Sequence, residues 1–368
     1  MRVAYLCNTF GQPDHDRCAA LSAARIDLLS IDWARDDSEY RWENTDKTWG
    51  AHLALAVRTG SPGSSLGAWW RMMQALARFK PQVIVVYGYH NPAFFLCAAI
   101  FSLLGVTMLT MNDSRFSDYP RSVTKDALKQ FLLAPYRGCL AGSEAAADYT
   151  RFLGVGRIAI YRCAIDTARV ARASKAAFEA TAFEDRTFLV VSRFVEKKNL
   201  FRLLDAYGRY AAGASKARRL VLIGYGPMEH ALRSYVAANP ELASRVDVVG
   251  FISVSRVPEY IGGSLSLILP SHSDQFGIVV TEALASGVPA IVSSNCGAAE
   301  MIESWSNGHV VNVDQPGPLV HAMAEMDGAE DRWKTMSDNA RASASQADVA
   351  RFLEAIQSLL PERLRSAA

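Results

Sequence analysis

Two carboxylates stand close together in the run PSHSDQFGIVVTEALASGVPAIV, residues 270–292. Asp274 and Glu282 flank Phe276–Gly277, and a helix-competent run covers 279–286. A loop is therefore expected to carry the first carboxylate and a helix the second. Carboxylates held in this way accept hydrogen bonds from the hydroxyl groups of a sugar or a ribose.

The residues around these carboxylates fit a binding loop at the end of a buried strand. Residues 264–270 (SLSLILP) form a short apolar run ended by proline, which is typical of a parallel strand. The helix that follows such a strand directs unpaired N–H groups and its positive dipole end at a bound anion. Gly277 lets the backbone approach the ligand without a Cβ, and Ile278 and Val279 offer main-chain amides. The pattern predicts a diphosphate ligand.

Apolar strand-like runs alternate with helical segments in two series along the chain, which predicts an α/β fold with two parallel sheets. The first series of predicted strands is 3–7, 82–87, 107–111, 138–141 and 157–161, and the second is 187–192, 219–224, 246–250, 265–270 and 290–293.

These series divide the chain into two predicted domains. We predict an N-terminal domain over residues 1–165 and a C-terminal domain over 185–345. The segment between them, about 163–185, has no strand pattern and is predicted as a hinge. A terminal helix at about 346–364 is a candidate to pack back on the first domain, and the polar stretch 36–50 is predicted as a surface loop or edge hairpin.

Composition narrows the class of protein. The 368 residues are 50% hydrophobic and carry a net charge of +2, which is too mild for a nucleic-acid partner. The six cysteines are scattered without metal-site or redox spacing, and the N-terminus lacks a signal-peptide pattern, so a cytoplasmic location is expected. The longest apolar stretch, 92–111, divides into a helix and a strand, and that helix is too short to span a bilayer.

Four sequence blocks together resemble glycosyltransferase family 4, the retaining enzymes of the GT-B architecture. The blocks are VVSRFVEKKNLFRLLDAY (190–207), LVLIGYGPMEHAL (220–232), VVGFISVSRVPEYI (248–261) and the carboxylate run already described. The resemblance implies two facing Rossmann-like domains with an interdomain cleft. As an architecture it covers about residues 1–315, but it is specific only over residues 187–302. It also implies that the first domain binds the acceptor and the second the nucleotide sugar.

Carried over by position, the resemblance assigns Arg193 and Lys198 to the donor diphosphate. Two cations at a strand end can neutralise a leaving diphosphate, although ordinary surface charges are the alternative for an isolated pair. The same carry-over assigns Glu282 to the ribose and Ile278 to a phosphate through its amide. Phe251 falls where the family's main chain meets the base, with an apolar core role as its alternative.

Two positions depart from the family pattern. Asp274 stands where the family usually has glutamate, one methylene longer, and Asn199 replaces a common glycine. Because aspartate keeps the acceptor chemistry but changes its reach, we expect a different sugar or pose at Asp274 rather than an inactive protein. We therefore count Arg193, Lys198, Asp274 and Glu282 as the catalytic set.

The first half offers fewer matches. Gly11, in the NTFG loop after the first strand, is the nearest match to the glycine-bearing loop with which the family reaches the donor phosphate or the acceptor. His90, Asn112 and Asp113 follow later strands and are candidates for sugar or acceptor contacts. A solvated or capping role is the alternative for His90, and an N-cap or turn role for Asp113.

The resemblance implies transfer of a hexose-type sugar, with retention, from a UDP- or GDP-sugar to a saccharide or lipid-linked saccharide in bacterial polysaccharide or glycoconjugate synthesis. No cofactor and no metal are expected. The alternatives are a nucleotide-sugar epimerase and a non-catalytic partner subunit of the same architecture. Basic amphipathic segments at 64–80 and 125–137 are candidates for peripheral contact with the inner face of the membrane, against plain solvated faces.

Overall fold

The computed structural model describes residues 1–34, 49–57 and 62–365. The predicted polar loop at 36–50 therefore lies outside the described residues, apart from positions 49 and 50. The chain forms two compact units, one made of Met1–Asp166 with Asp348–Ala368 and the other of Thr167–Ala347.

The first unit is built on a seven-stranded sheet in which all neighbouring strands are parallel, in the order β3-β2-β1-β4-β5-β6-β7. The strands are β1 (Arg2–Cys7), β2 (Asp27–Ala34), β3 (Ala51–Val57), β4 (Val83–Tyr87), β5 (Thr107–Asn112), β6 (Gly138–Ala141) and β7 (Ile158–Ile160). The helices between them are α1 (Gln12–Ala23), α2 (Pro62–Phe79), α3 (Pro92–Leu103), α4 (Val123–Leu133) and α5 (Glu144–Phe152), with a 3-10 turn at Phe116–Asp118.

The second unit has a six-stranded parallel sheet in the order β10-β9-β8-β11-β12-β13. Its strands are β8 (Thr187–Val191), β9 (Leu220–Ile223), β10 (Val246–Gly250), β11 (Ser264–Leu269), β12 (Ala290–Ser293) and β13 (Gly308–Val311). Its helices are α6 (Thr167–Ala180), α7 (Leu200–Gly213), α8 (Glu229–Ala238), α9 (Pro240–Ala243), α10 (Val257–Gly262), α11 (Ile278–Ala285), α12 (Pro316–Gly328) and α13 (Glu330–Ala344). Shorter 3-10 turns lie at Phe183–Asp185, Glu196–Lys198, Val254–Arg256, Gly297–Met301 and Ser345–Ala347.

The chain then returns to the first unit through α14 (Val349–Leu359) and α15 (Glu362–Arg365). Helix α14 packs against α1, β6 and β7, and Phe352 on it is fully buried beside Tyr5 and Tyr161. An amphipathic helix of this kind buries one apolar stripe and leaves its polar face to solvent. The terminal helix is thus an integral part of the first unit.

The predicted α/β class with two parallel sheets is confirmed, but three strands escaped the sequence analysis. Strand β2 (DLLSIDWA) contains polar residues, of which Ser30 is fully buried and hydrogen-bonds Trp49 Nε1 and His52 Nδ1, each at 2.9 Å. Because a search for apolar runs misses a strand whose buried positions are polar, β2 and its edge neighbour β3 were not predicted. Strand β13 has only four residues.

The segment predicted as a hinge is largely helical. It contains α6, which packs against α10 in the second unit. The two helices are so close that a Cβ added at Gly262 would lie only 2.4 Å from the Ser174 carbonyl oxygen. Among the described residues, no helix combines the length and the apolar character needed to cross a membrane.

The loops after β8 and β9 are joined by their backbones. The Phe194 N–H donates to the Tyr225 carbonyl at 2.7 Å, and the Met228 N–H donates to the Phe194 carbonyl at 3.0 Å. This approach requires Gly224, whose φ is 149° and where a Cβ would lie 1.7 Å from the Ser192 carbonyl oxygen. Only glycine adopts this positive φ easily and also has no Cβ to clash with the neighbouring backbone.

We expect Gly224→Ala to destabilise the protein severely, by about 4 kcal/mol or more, because the clash is with backbone that cannot rotate away. The control is Gly208→Ala in α7, where the nearest atom lies at an ordinary 3.7 Å. Alanine there should raise stability by about 0.5–1 kcal/mol through its helix propensity. Chemical denaturation of both variants measures the difference, and equal midpoints would contradict the backbone argument.

Candidate functional site

The order of strands in the second unit brings two loops together. Strand β8 pairs with β11, while β9 and β10 continue on one side and β12 and β13 on the other. At such a reversal of strand order, the connections after the two central strands lead to opposite sides and leave a crevice beyond the strand ends. Arg193 and Lys198 follow β8, and Asp274 and Gly277 follow β11, so both halves of the predicted set lie at this reversal.

Lys198 and Asp274 contact each other directly. The Lys198 Nζ donates to Asp274 Oδ2, and the two side chains are only 11% and 16% exposed. A pair so shielded from water has a strong mutual attraction, and removing either partner would leave an uncompensated charge. The ammonium has two further N–H groups with which to meet an anionic ligand.

Asn199 ties the two loops together beside this ion pair. Its backbone is left-handed, with φ 58° and ψ 34°, and its Nδ2 donates to the Pro270 carbonyl at 3.2 Å. A second bond runs from the His272 N–H to the Lys197 carbonyl at 2.8 Å. Asparagine is among the few side chains that tolerate this conformation, which explains why it can stand where glycine is common. In exchange it supplies a hydrogen bond that glycine lacks.

The Asp274 segment is also held from the other side, by the loop after β12. The Gly297 N–H donates to the Asp274 carbonyl at 3.2 Å, and the Ala298 N–H donates to the Phe276 carbonyl at 2.8 Å. The Phe276 ring is 3% exposed and lies in the core. Its ring therefore anchors the loop, and any ligand contact from Phe276 has to come from its main chain.

Helix α11 begins at this loop with its amides available. Gly277 precedes it with φ 97°, and a Cβ there would lie 2.5 Å from Leu269. Ile278 and Val279 are the first two helical residues, so their N–H groups have no carbonyl acceptor within the helix. Glu282 follows about one turn later and is partly buried. Helix α11 therefore carries both the unpaired N-terminal amides and, one turn on, the Glu282 carboxylate.

An aromatic pair lies at the ends of β9 and β10. Phe251 is 42% exposed, and its ring centroid lies 5.4 Å from that of Tyr225 in an edge-to-face arrangement. The exposure of Phe251 argues against the apolar core role considered for it. Sequence reasoning overlooked Tyr225, although its position between two glycines after a strand was a usable signal.

Gly11 lies in the first unit, at the start of α1. Its N–H donates to Asp14 Oδ2 at 3.1 Å, and its carbonyl accepts from the N–H groups of Asp14 and His15. Its φ is −101°, which any residue can adopt. The amide of Gly11 is thus used by the capping of α1 itself.

The loops after β1 and β4 meet at the strand-order reversal of the first sheet. The Asn91 Nδ2 donates to Asn8 Oδ1 at 3.0 Å, and Asn91 Oδ1 caps α3 by accepting from the Ala93 N–H at 2.9 Å. His90 stands in this loop with its side chain exposed. Asn91, rather than His90, therefore provides the cap.

Asn112 and Asp113 differ in how accessible their side chains are to a ligand. Asn112 is buried and uses both ends of its amide, donating to Thr150 Oγ1 at 2.7 Å and accepting from the Ser114 N–H at 3.2 Å. Asp113 accepts from the hydroxyls of Tyr87 at 2.7 Å and Tyr161 at 3.1 Å and is partly exposed. The Asp113 charge, with burial, raises the pKa of Tyr87, so this phenol stays protonated as a donor.

Comparisons of sequence match the second unit to known proteins. Residues 173–343 match the family described as glycosyl transferases group 1. An uncharacterized glycosyltransferase of Methanocaldococcus jannaschii is 26% identical over 153 residues, which is 42% of this chain and 41% of that protein. The amylovoran biosynthesis glycosyltransferase AmsK of Erwinia amylovora is 32% identical over 126 residues, covering 33% of this chain and 30% of that protein. The chain thus spans less than half the length of the curated relatives it matches.

Comparisons of structure extend over the whole chain. HepE of Anabaena, solved in complex with UDP, is similar with a TM-score of 0.76 at 16% identity, and the match covers 100% of both chains. Sucrose-phosphate synthase from Thermosynechococcus elongatus is similar with a TM-score of 0.75 at 18% identity, again over 100% of both chains. At these identities the likeness establishes the GT-B fold.

The two roles of Asn199 can be separated by substitution. Asn199→Gly keeps the left-handed backbone but loses the bond to Pro270, which should cost about 0.5–1.5 kcal/mol. Asn199→Ala loses the bond and adds about 1–2 kcal/mol of backbone strain. We therefore expect stability in the order wild type, glycine, alanine by denaturant unfolding. An alanine variant as stable as the glycine variant would refute the conformational part.

Proposed function

We propose that the chain transfers a sugar from a nucleoside-diphosphate sugar to an acceptor hydroxyl, as a member of the family described as glycosyl transferases group 1, which residues 173–343 match. One observation carries the proposal: the Lys198–Asp274 pair and the N-terminus of α11 follow the two central strands of one sheet, at its strand-order reversal. Cations, amides and a carboxylate at one crevice are the groups that a diphosphate sugar needs.

The donor diphosphate is proposed to lie against Arg193, Lys198 and the first amides of α11. The Lys198 ammonium would keep its contact with Asp274 while its other N–H groups bind phosphate oxygens. As the bond to the sugar breaks, negative charge grows on the diphosphate. Fixed donors and cations that already point there stabilise that charge without reorganising, which is usually the largest catalytic term.

The nucleoside and the sugar are proposed to lie on either side of the diphosphate. Glu282 is suited to accept hydrogen bonds from the ribose hydroxyls, one helical turn beyond the amides of α11. Phe251 and Tyr225 offer an exposed aromatic edge for a uracil or guanine base. Asp274, held by Lys198 on one side, is proposed to accept from a hydroxyl of the transferred hexose.

Asp274 is proposed to determine which nucleotide sugar the protein uses as donor. Its carboxylate is one methylene shorter than glutamate and already paired with Lys198, so its reach is limited to a hydroxyl close to the diphosphate. The donor is a UDP- or GDP-activated hexose on this proposal, and the transfer proceeds with retention. A phosphate oxygen of the donor helps to accept the acceptor proton, so no protein base is required.

Acceptor recognition is proposed for the first unit, with a saccharide or lipid-linked saccharide as the acceptor. Asp113 holds two tyrosine hydroxyls and keeps part of its surface open, and His90 is exposed in the loop after β4. Both follow carboxyl ends of parallel strands, where ligands of such sheets bind. A role in polysaccharide or glycoconjugate synthesis, in the cytoplasm, follows from this acceptor class.

Lys198→Ala should lower kcat/KM for sugar transfer by about 10²- to 10³-fold, because the cation that meets the leaving diphosphate is lost. Lys198→Arg should recover part of the rate, since the charge is kept. The measurement is release of nucleoside diphosphate from UDP- and GDP-hexoses with a saccharide acceptor, alongside incubations without acceptor.

The matched control is Lys197→Ala, which removes the exposed neighbouring lysine but leaves the main-chain carbonyl that accepts from His272. Turnover of Lys198→Ala equal to that of this control, with the fold intact, would contradict the assignment of Lys198. Nucleoside diphosphate released equally fast without any acceptor would point instead to a hydrolase. Conversion of the donor without such release would point to an epimerase.

We also propose that the first unit rests on an anionic lipid surface through α2 and α3. Leu66, Trp70, Leu103 and Leu104 are large apolar side chains more than half exposed on or just after these helices. Between them lies an apolar groove of about 500 Å³ whose lining includes Lys80. Residues 62–104, which contain both helices, carry Arg71, Arg78 and Lys80 and no Asp or Glu, and this positive excess complements anionic lipid better than a neutral partner.

The double variant Leu103→Ser/Leu104→Ser should lower binding to phosphatidylglycerol vesicles by about 10-fold or more, because two exposed leucines are lost from the contact. Folding should be unaffected, since both side chains are exposed. Vesicle flotation measures binding, with phosphatidylcholine vesicles as the neutral control. Flotation that is equally weak on both vesicle types would overturn the membrane contact.

A further inference from the structure

A second basic pocket lies in the first unit, formed by the loop after β5, the start of α4 and one face of α5. It has a volume of about 320 Å³, and its lining is Arg115, Tyr119, Arg121, Lys125, Lys129 and Tyr149, with Pro120, Ser122 and Asp126. Four cations and one carboxylate therefore face the same space. The site is separate from the diphosphate site, which is made of residues in the second unit.

Part of this positive charge is neutralised within the protein. Arg115 is paired with Asp118 at 2.9 Å, and both side chains are nearly buried. Arg121 is paired with Asp126, which also accepts from the Tyr149 hydroxyl at 3.3 Å. After these pairs are counted, Lys125 and Lys129 leave two positive charges uncompensated, and Lys125 is exposed. A pocket with a net charge of this size favours an anion.

The cations are held in position by aromatic rings. The Arg121 guanidinium carbon lies 5.1 Å from the ring centroid of Phe116, 4.7 Å from that of Tyr149 and 5.1 Å from that of Phe152. The Lys129 Nζ donates to the Tyr149 hydroxyl at 2.8 Å. Rings within about 6 Å of a cation attract it, so these two side chains are ordered before any ligand arrives. That order reduces the entropy that a ligand would otherwise have to remove.

The N-terminal end of helix α4 adds to the positive charge of this pocket. Ser122 precedes α4 and lines the pocket together with Lys125 in the first turn, so the positive end of the helix dipole points at this space. A guanidinium, two ammonium groups and a helix N-terminus form the donor set that proteins use for phosphate. The exposed ring of Tyr119 forms an apolar part of the wall beside them.

We propose that this pocket binds a phosphate or diphosphate group, and that in catalysis the group belongs to the acceptor. The anion site depends only on the first unit, whereas its use for an acceptor rests on the proposed transfer reaction. The acceptor is thereby narrowed to a phosphorylated saccharide or a saccharide linked to lipid through phosphate. An anionic lipid headgroup carries the same chemistry, and the experiment below distinguishes it from a soluble phosphate.

The test is protection of individual lysines from acetylation, read by mass spectrometry on the full chain. Inorganic pyrophosphate at ten times its half-saturating concentration should slow acetylation of Lys125 about 10-fold, by mass action. Lys216, an exposed lysine in the second unit, should react at an unchanged rate. Equal rates at Lys125 with and without pyrophosphate would refute the pocket.

Lys198 is read in the same experiment and reports on the donor site. Protection of Lys125 without Lys198 would leave the pocket standing and the proposed donor site in doubt, and the reverse would refute the pocket alone. Phosphatidylglycerol vesicles and glucose 1-phosphate replace pyrophosphate in two further arms. Protection by vesicles but not by the sugar phosphate assigns the pocket to a lipid headgroup, and protection by the sugar phosphate assigns it to a soluble acceptor.

Charge-reversal variants complete the test. Lys125→Glu should weaken pyrophosphate protection of Lys129 about 10-fold, because a nearby charge changes sign. Arg137→Glu makes the same change at an exposed position outside the pocket and should leave the protection of Lys129 unaltered. If both variants weaken protection equally, general electrostatics explains the binding and the pocket is not a site.

Discussion

The reversal of strand order between β8 and β11 is the constraint on which the proposed donor site depends. It brings together two loops that are far apart in sequence, since Lys198 and Asp274 are separated by 76 positions along the chain. Short backbone and side-chain bonds then hold the loops in register: Asn199 to Pro270, and His272 to Lys197. The ion pair can form because those bonds hold the two loops that contain Lys198 and Asp274 close together.

In the first unit, loops that are distant in sequence are also held together by specific contacts, here those of a buried arginine. Arg17 is 2% exposed, pairs with Asp14 at 3.2 Å, donates to the Ala164 carbonyl at 3.1 Å and lies over the Tyr161 ring. A buried charge is tolerated only when it is paired and hydrogen-bonded in this way. The start of α1 and the end of the β7 loop are thereby joined, which explains why the Gly11 amide is turned inward to Asp14.

Much of the fold could be predicted because parallel strands of this class are apolar and short. Strands β6, β10 and β12 have the predicted bounds, and most others differ by one residue at an end. The failures have physical causes. Strand β2 buries Ser30 and Asp32, and the small residues of α6 allow its close contact with α10 without forming an apolar run. Polar burial and close helix packing leave little trace in an apolar pattern.

The sequence by itself determined the α/β class, the resemblance to a glycosyltransferase family and the chemical types at the proposed site, because these follow from local patterns and from the spacing within each block. Only the tertiary structure decided which groups meet. It paired Lys198 with Asp274, made Asn199 a bridge, buried the Phe276 ring and exposed Phe251 beside Tyr225. It also gathered Arg121, Lys125 and Lys129 into one pocket. Such contacts depend on strand order and on side-chain burial, and neither is encoded in the spacing of residues along the chain.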